Sequence, residues 1–185
     1  MKQFPHIETA RLILKLISSE EMFTIFDTLP KGEVMKILGH RTEADYEKEY
    51  LKHINGYSSY NRKFIMFFLI DKTSGLIIGR CGIHNWNKDH YRAEIGYHIE
   101  DENYKRKGLM SEAVKAVIHY AFNELKLNRL EAMVGVNNVP SLKIIENNRF
   151  TKEGQLRQHV VEGDTFQDSF VFSILSSEYI EHNRN

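Results

Sequence analysis

Apolar side chains at Leu109, Ala113, Ala116, Val117, Tyr120, Ala121 and Leu125 recur with the 3.6-residue period of an α-helix, the most regular pattern in the chain. The stripe starts directly after a basic loop with a single glycine, Tyr104-Lys105-Arg106-Lys107-Gly108. Strand-like runs lie on either side, residues 93–99 before the loop and residues 130–136 after the helix. A helix with one apolar face set between strands must bury that face on a sheet, so the chain is committed to layers of helix and strand.

Other segments supply the rest of the sheet. Leu12, Leu14 and Leu16 alternate with Arg11, Ile13 and Lys15, which predicts a first strand, and Ser18 or Ser19 then caps a helix with Glu20 and Glu21 in its first turn. Residues 42–60 carry Tyr46, Tyr50, Leu51 and Ile54 at helical spacing and are read as a covering helix. Residues 64–70 and 76–83, joined by Asp71-Lys72-Thr73-Ser74-Gly75, predict a hairpin of two buried strands. Residues 139–148 suit a short helix capped by Asn137 or Asn138, with Pro140 in its first turn. A last hairpin spans residues 154–161 and 166–174 around Glu162-Gly163-Asp164, with Phe170, Phe172 and Ile174 sharing a face. The expected class is α+β (mixed α/β) with a central, largely antiparallel sheet. No linker divides the 185 residues, so one domain over residues 1–185 is expected.

Composition removes several function classes. Lys plus Arg equals Asp plus Glu at 25 each, so no global field draws in nucleic acid, and the basic loop lacks interleaved aromatics. The lone cysteine, Cys81, cannot form an internal disulfide and lies in an apolar stretch, which fits a buried thiol and a cytoplasmic setting. The start Met1-Lys2-Gln3-Phe4-Pro5-His6 has no signal-peptide core, and no run approaches the ~18 apolar residues of a membrane span. Nine histidines show neither HExxH nor paired Cys/His spacing, so no metal site is expected. Trp86, between Asn85 and Asn87, is read as a cover for the core rather than as part of a binding mouth.

The loop before the helix has two readings. Gly108 lets the backbone approach a ligand, and residues 106–111 would offer helix-start amides and two cations to a diphosphate. The plainer alternative is a solvated connection. The loop has no GK[ST] ending, which argues against nucleoside triphosphate hydrolysis.

Three separated segments resemble one family. Glu8-Thr9-Ala10-Arg11-Leu12-Ile13-Leu14, then Ala93-Glu94-Ile95-Gly96-Tyr97-His98-Ile99 with Lys105 to Ala113, then Asn138-Val139-Pro140-Ser141 with Phe150 and Glu153-Gly154, are together similar to the GCN5-related N-acetyltransferases (GNAT). Within them the chain is closest in pattern to the branch that modifies alanine or serine amino termini of ribosomal proteins, over about residues 8–175. The resemblance implies about seven strands and four helices, a sheet splayed in the middle, and acetyl-CoA as co-substrate. It also implies transfer to a primary amine, first of all a protein or peptide amino terminus. A small-molecule amine and a non-catalytic CoA-binding module remain alternatives, and both monomer and homodimer stay open.

Carried over residue by residue, the resemblance assigns the cofactor to backbone near His98 and Ile99, to Arg106, Lys107, Gly108, Leu109, Met110 and Ser111, and to Asn138 and Ser141. A bulge near His98 and Ile99 is expected to cause the splay. Ser141 is a catalytic candidate for hydrogen bonding the departing thiolate or its proton relay, or else a helix-start serine; Asn138 caps the helix, holds the cofactor arm, or does both. Glu94 is the candidate base, or else an outward residue paired with Arg92 or Lys63. His159 is a second candidate, with alternation placing it opposite Val160, where some of the branch carry glutamate; Glu162 follows in the turn. Ile145 stands where many members carry a tyrosine that protonates the thiolate, and Arg149 where a glycine is usual.

Overall fold

The computed structural model describes residues 4–56 and 63–184. In chain order it runs β1 (His6–Glu8), β2 (Leu12–Ser18), α1 (Ser19–Thr28), α2 (Lys31–Leu38), α3 (Glu43–Ile54), β3 (Ile65–Asp71), β4 (Ile77–Asn87) and β5 (Arg92–Ile99). It continues with α4 (Leu109–Asn123), β6 (Arg129–Gly135), α5 (Val139–Asn147), β7 (Thr151–Glu162), β8 (Thr165–Leu175) and α6 (Ser176–Arg184). The strands form one sheet in the order β1-β2-β3-β4-β5-β6-β8-β7. Each neighbouring pair is antiparallel except β5 and β6, which α4 connects as a crossover.

Strand alternation divides the apolar residues between two cores. On β3, Phe67 and Leu69 join Val117, Ala121 and Phe122 of α4 in one cluster, while Phe68 packs with Ile17, Met22, Phe26, Val34 and Leu38 beneath α1 and α2. Helices therefore cover both faces. Ser18 is the cap of α1: its hydroxyl accepts from the Glu21 amide at 3.1 Å, and the Glu21 carboxylate accepts from the Ser18 amide at 3.0 Å. Among the described residues no helix is long and apolar enough to cross a membrane.

The mixed fold with a splayed sheet is as expected, with differences in detail, the first being six helices among the described residues rather than about four. Among the described residues the sheet has eight strands rather than about seven, because the short β1 pairs with β2 through His6↔Lys15 and Glu8↔Ile13. Helix α3 ends at Ile54, and residues 57–60 of the predicted helix lie outside the described residues, as do 1–3 of the amino-terminal stretch. Tyr46 and Tyr50 do pack, with ring centroids 5.9 and 6.0 Å from Phe26, but Leu51 and Ile54 are exposed. Trp86 packs partly buried against the main core.

The splay arises where β5 and β6 part. They pair only through Arg92↔Arg129, Ala93↔Leu130 and Glu94↔Glu131, after which β6 continues alongside β8 and β5 stays with β4. No register shift occurs at His98 or Ile99; the irregularity lies in β4, between His84 and Asn87. Ion pairs clamp the closed end of this V. The Arg129 guanidinium grips Glu153 with both terminal nitrogens and Glu131 through Nε at 2.7 Å, while Arg92 reaches Glu131 at 3.3 Å.

This clamp has a pH signature. Hydrogen bonds from Arg129 and then from Ser173 pull the Glu153 carboxyl down to about 2, below the ordinary ~4.3 of a free glutamate. Its contribution to stability is thus present above the unfolded value and is lost as pH falls toward 2. Thermal melts should be flat from neutral pH to about 5 and decline below, and Glu153→Gln should flatten that decline.

Candidate active site

Helix α4 begins without a side-chain cap. Gly108 holds the N-cap position at φ +76° and Arg106 precedes it at φ +60°, so the loop turns twice through left-handed backbone before the helix starts. The Glu112 amide already bonds the Gly108 carbonyl at 3.1 Å, but the amides of Leu109, Met110 and Ser111 have no intrahelical acceptor. They form an uncapped cluster of donors at the positive end of the helix, beside the exposed cations of Arg106 and Lys107.

Glu112 fixes this cluster to the sheet. Its carboxylate accepts from the Thr9 hydroxyl at 2.6 Å, the Arg11 amide at 2.8 Å and Arg11 Nε at 2.7 Å, and Arg11 Nη1 donates to the Lys107 carbonyl at 2.8 Å. Partial burial raises the Glu112 pKa, but these bonds outweigh it and hold the carboxyl below its usual range. The residues of the first resembling segment thus meet those of the loop, a contact between Glu112 and Thr9 and Arg11 that the two segments do not reveal separately.

From the start of α4 the site crosses into the V. The Glu100 amide bonds the Ile78 carbonyl at 3.1 Å, which fixes the alternation of the β4–β5 ladder. By that alternation His98 exchanges its bonds with Arg80, and the amides and carbonyls of Tyr97 and Ile99 turn toward the gap. The backbone of Ile99 therefore lies at the gap, whereas that of His98 faces β4 and its exposed ring lies 3.3 Å from Glu100. On the far side of the gap, Asn138 caps α5 by accepting from the Ser141 amide at 3.2 Å. The Tyr97 hydroxyl donates to the Ser141 carbonyl at 3.4 Å. Ile145 is wholly buried in the core, and Arg149 ends α5 at φ +60°, a conformation a glycine would adopt without strain.

On the sheet face opposite α4 lies a cleft of about 940 Å³, walled by α3, β4, β5 and β6 and closed at one side by His159 of β7. Glu94 points into it rather than toward Arg92 or Lys63: its carboxylate accepts from Asn85 Nδ2 at 2.9 Å and lies 3.8 Å from His84 Nε2. Gly96 makes room for that imidazole, since a Cβ there would come within 2.9 Å of Nε2. Glu49 is buried in the same wall. Burial pushes its pKa up, but Arg80 at 3.0 Å and Lys52 at 3.4 Å prevail and keep it below the usual range.

His159 reaches the cleft through a bulge. The β7–β8 register shifts between Leu156 and Val160, Gln158 takes φ +50°, and Asp168 holds the bulge by accepting from the Gln158 amide at 2.8 Å. His159 Nδ1 then lies 3.0 Å from Ser169 Oγ, on the side of the sheet that carries Met133. Simple alternation from Val160 does not set its direction. Glu162 ends β7 in the open and does not line the cleft.

Comparison with known proteins agrees with this geometry. The model of the acetyltransferase (GNAT) domain family matches residues 11–151. The chain is 34% identical over 176 residues to the uncharacterized N-acetyltransferase p20 of Bacillus licheniformis, covering 92% of this chain and 96% of that protein. It is 31% identical over 127 residues to the ribosomal-protein-serine acetyltransferase of Escherichia coli, covering 69% and 66%. It is 27% identical over 135 residues to the spermidine N(1)-acetyltransferase of the same organism, covering 73% and 68%. The ribosomal-protein-S5-alanine acetyltransferase of Vibrio fischeri shares the fold, with a TM-score of 0.69 at 21% identity over 95% of this chain and 98% of that one.

Proposed function

The chain belongs to the GNAT acetyltransferase family, and we propose that it moves the acetyl group of acetyl-CoA to the α-amino group of a peptide or protein, by direct attack of the amine on the thioester. The uncapped amides of Leu109, Met110 and Ser111, with the Arg106 and Lys107 cations, fit the diphosphate of the donor. The free edge of β5 at Tyr97 and Ile99 fits its extended arm, and Ile99 fits the polarisation of the carbonyl. Ser141, at the first turn of α5, hydrogen-bonds the sulfur; Asn138 acts on this site by capping the helix that carries Ser141.

The acceptor enters from the cleft, where Glu94 orients the amine and takes its proton directly or through water. The observation that carries the acceptor class is the charge of that cleft. Among the described residues lining it, Glu49 and Glu94 face Lys52 and Arg80, and Glu49 is already neutralised by both cations. One carboxylate is left, which suits one ammonium and not a polycation. An α-amino group, with a pKa near ~8, also supplies more of the neutral nucleophile at pH 7 than an alkylamine near ~10.

The chain's relatives include proteins named for ribosomal acetylation and one named for spermidine, so the acceptor is open to direct trial. Following thiol release from acetyl-CoA, kcat/KM for short peptides with free amino termini should exceed that for spermidine by at least about tenfold, the equivalent of ~1.4 kcal/mol. A preference for spermidine would overturn the acceptor assignment.

A further inference from the structure

We propose that the Tyr97 hydroxyl is the acid that protonates the departing CoA sulfur, a role that rests on the acetyl-transfer reading above. Tyr97 lies on the face of β5 that packs against the α4 core, yet it also lines the acceptor cleft, so its ring stands in the passage between the two sides of the sheet. Its hydroxyl spans the gap to the first turn of α5, where the bond to the Ser141 carbonyl is long, at 3.4 Å, and easily exchanged for a better acceptor.

The other candidates are committed elsewhere or chemically unsuited. Ile145 is apolar and fully buried, Asn138 Oδ1 is occupied as a cap, and the exposed His98 ring pairs with Glu100. Cys81 is a wholly buried thiol whose pKa burial drives up. Ser141 can hydrogen-bond the sulfur, but an aliphatic hydroxyl is a much weaker acid than a phenol. Burial raises the Tyr97 pKa to about 12, with the Ser141 contact offsetting part of the rise, so the phenol carries its proton throughout the neutral range.

The step balances without a further reactant. The amine lone pair forms the new C–N bond at the acetyl carbon; the C–S bond breaks, its electron pair stays on sulfur, and the Tyr97 proton completes the thiol. The proton lost by the nitrogen, passed through Glu94 and water, restores the phenol.

Tyr97→Phe keeps the ring and removes the acid. It should lower kcat with acetyl-CoA by about 10²-fold or more while the acceptor KM stays near its original value. Binding gives a readout free of turnover: calorimetry should show the protein preferring CoA over an analogue lacking the thiol by about fivefold, and Tyr97→Phe reducing that preference to the share Ser141 supplies, with the analogue bound as before. A variant with wild-type kcat and an intact thiol preference overturns the assignment of Tyr97 alone. A wild-type protein that acetylates no amine overturns the acetyl-transfer reading with it. Should Tyr97→Phe fold poorly, fluorotyrosine at position 97 keeps the hydroxyl and lowers its pKa; the alkaline limb of kcat then moves to lower pH, and an unmoved limb overturns the proposal.

Discussion

Gly108→Val should weaken CoA binding by about 10²-fold or more while leaving the melting temperature within a few degrees of the wild type. At φ +76° only glycine is unstrained, and a β-branched residue there costs roughly 1–3 kcal/mol. The penalty is conformational rather than steric, because a Cβ at this position would meet only Arg11 Nη2, at 3.5 Å. The loop can relieve the strain by leaving its double left-handed turn, which misaims the amides of Leu109, Met110 and Ser111. The core stripe of α4 stays buried throughout, so the fold persists. Gly108→Ala should show a smaller loss of the same kind. Calorimetric titration with CoA, with thermal melts as control, separates loss of the site from loss of the protein; normal CoA affinity in the valine variant would contradict the role of the loop.

Glu94→Gln should lower kcat/KM for the acceptor by about 10²–10³-fold with CoA affinity nearly unchanged. The amide keeps the shape and the Asn85 contact but can neither take a proton nor offset an ammonium. The ascending limb of the pH–rate profile should flatten in the variant. A profile superimposable on that of the wild type would assign proton removal elsewhere, with His159 next in line because it shares the cleft.

The legible parts of this protein are those where local chemistry decides. The α4 stripe buries as its period requires, with Ala113, Val117 and Ala121 fully inaccessible, and Asn138 caps α5 because an Asx side chain three residues before a free amide does so wherever it stands. What the sequence concealed depends on partners distant in the chain. Which backbone groups of β5 face the gap follows from register with β4, and that register favours Tyr97 and Ile99 over His98. The bulge that aims His159 needs Asp168, ten residues from Gln158, and the lock on the loop needs Glu112 to meet Thr9 and Arg11. Three-residue β1 is too short for alternation to reveal, and Leu51 and Ile54 mimic a core face that α3 turns outward.

The most direct trial of the account is a titration of the isotopically labelled protein with CoA, followed through backbone amide resonances. The fold offers a rival cavity of similar size, about 900 Å³, under α1 and α2 and lined by Phe4, Ile13, Leu29 and Ile37. The largest shifts should fall on Gly108, Leu109, Met110 and Ser111 and on Tyr97 and Ile99 along the gap. Shifts gathered around Ile13, Leu29 and Ile37, with the start of α4 unmoved, would contradict it.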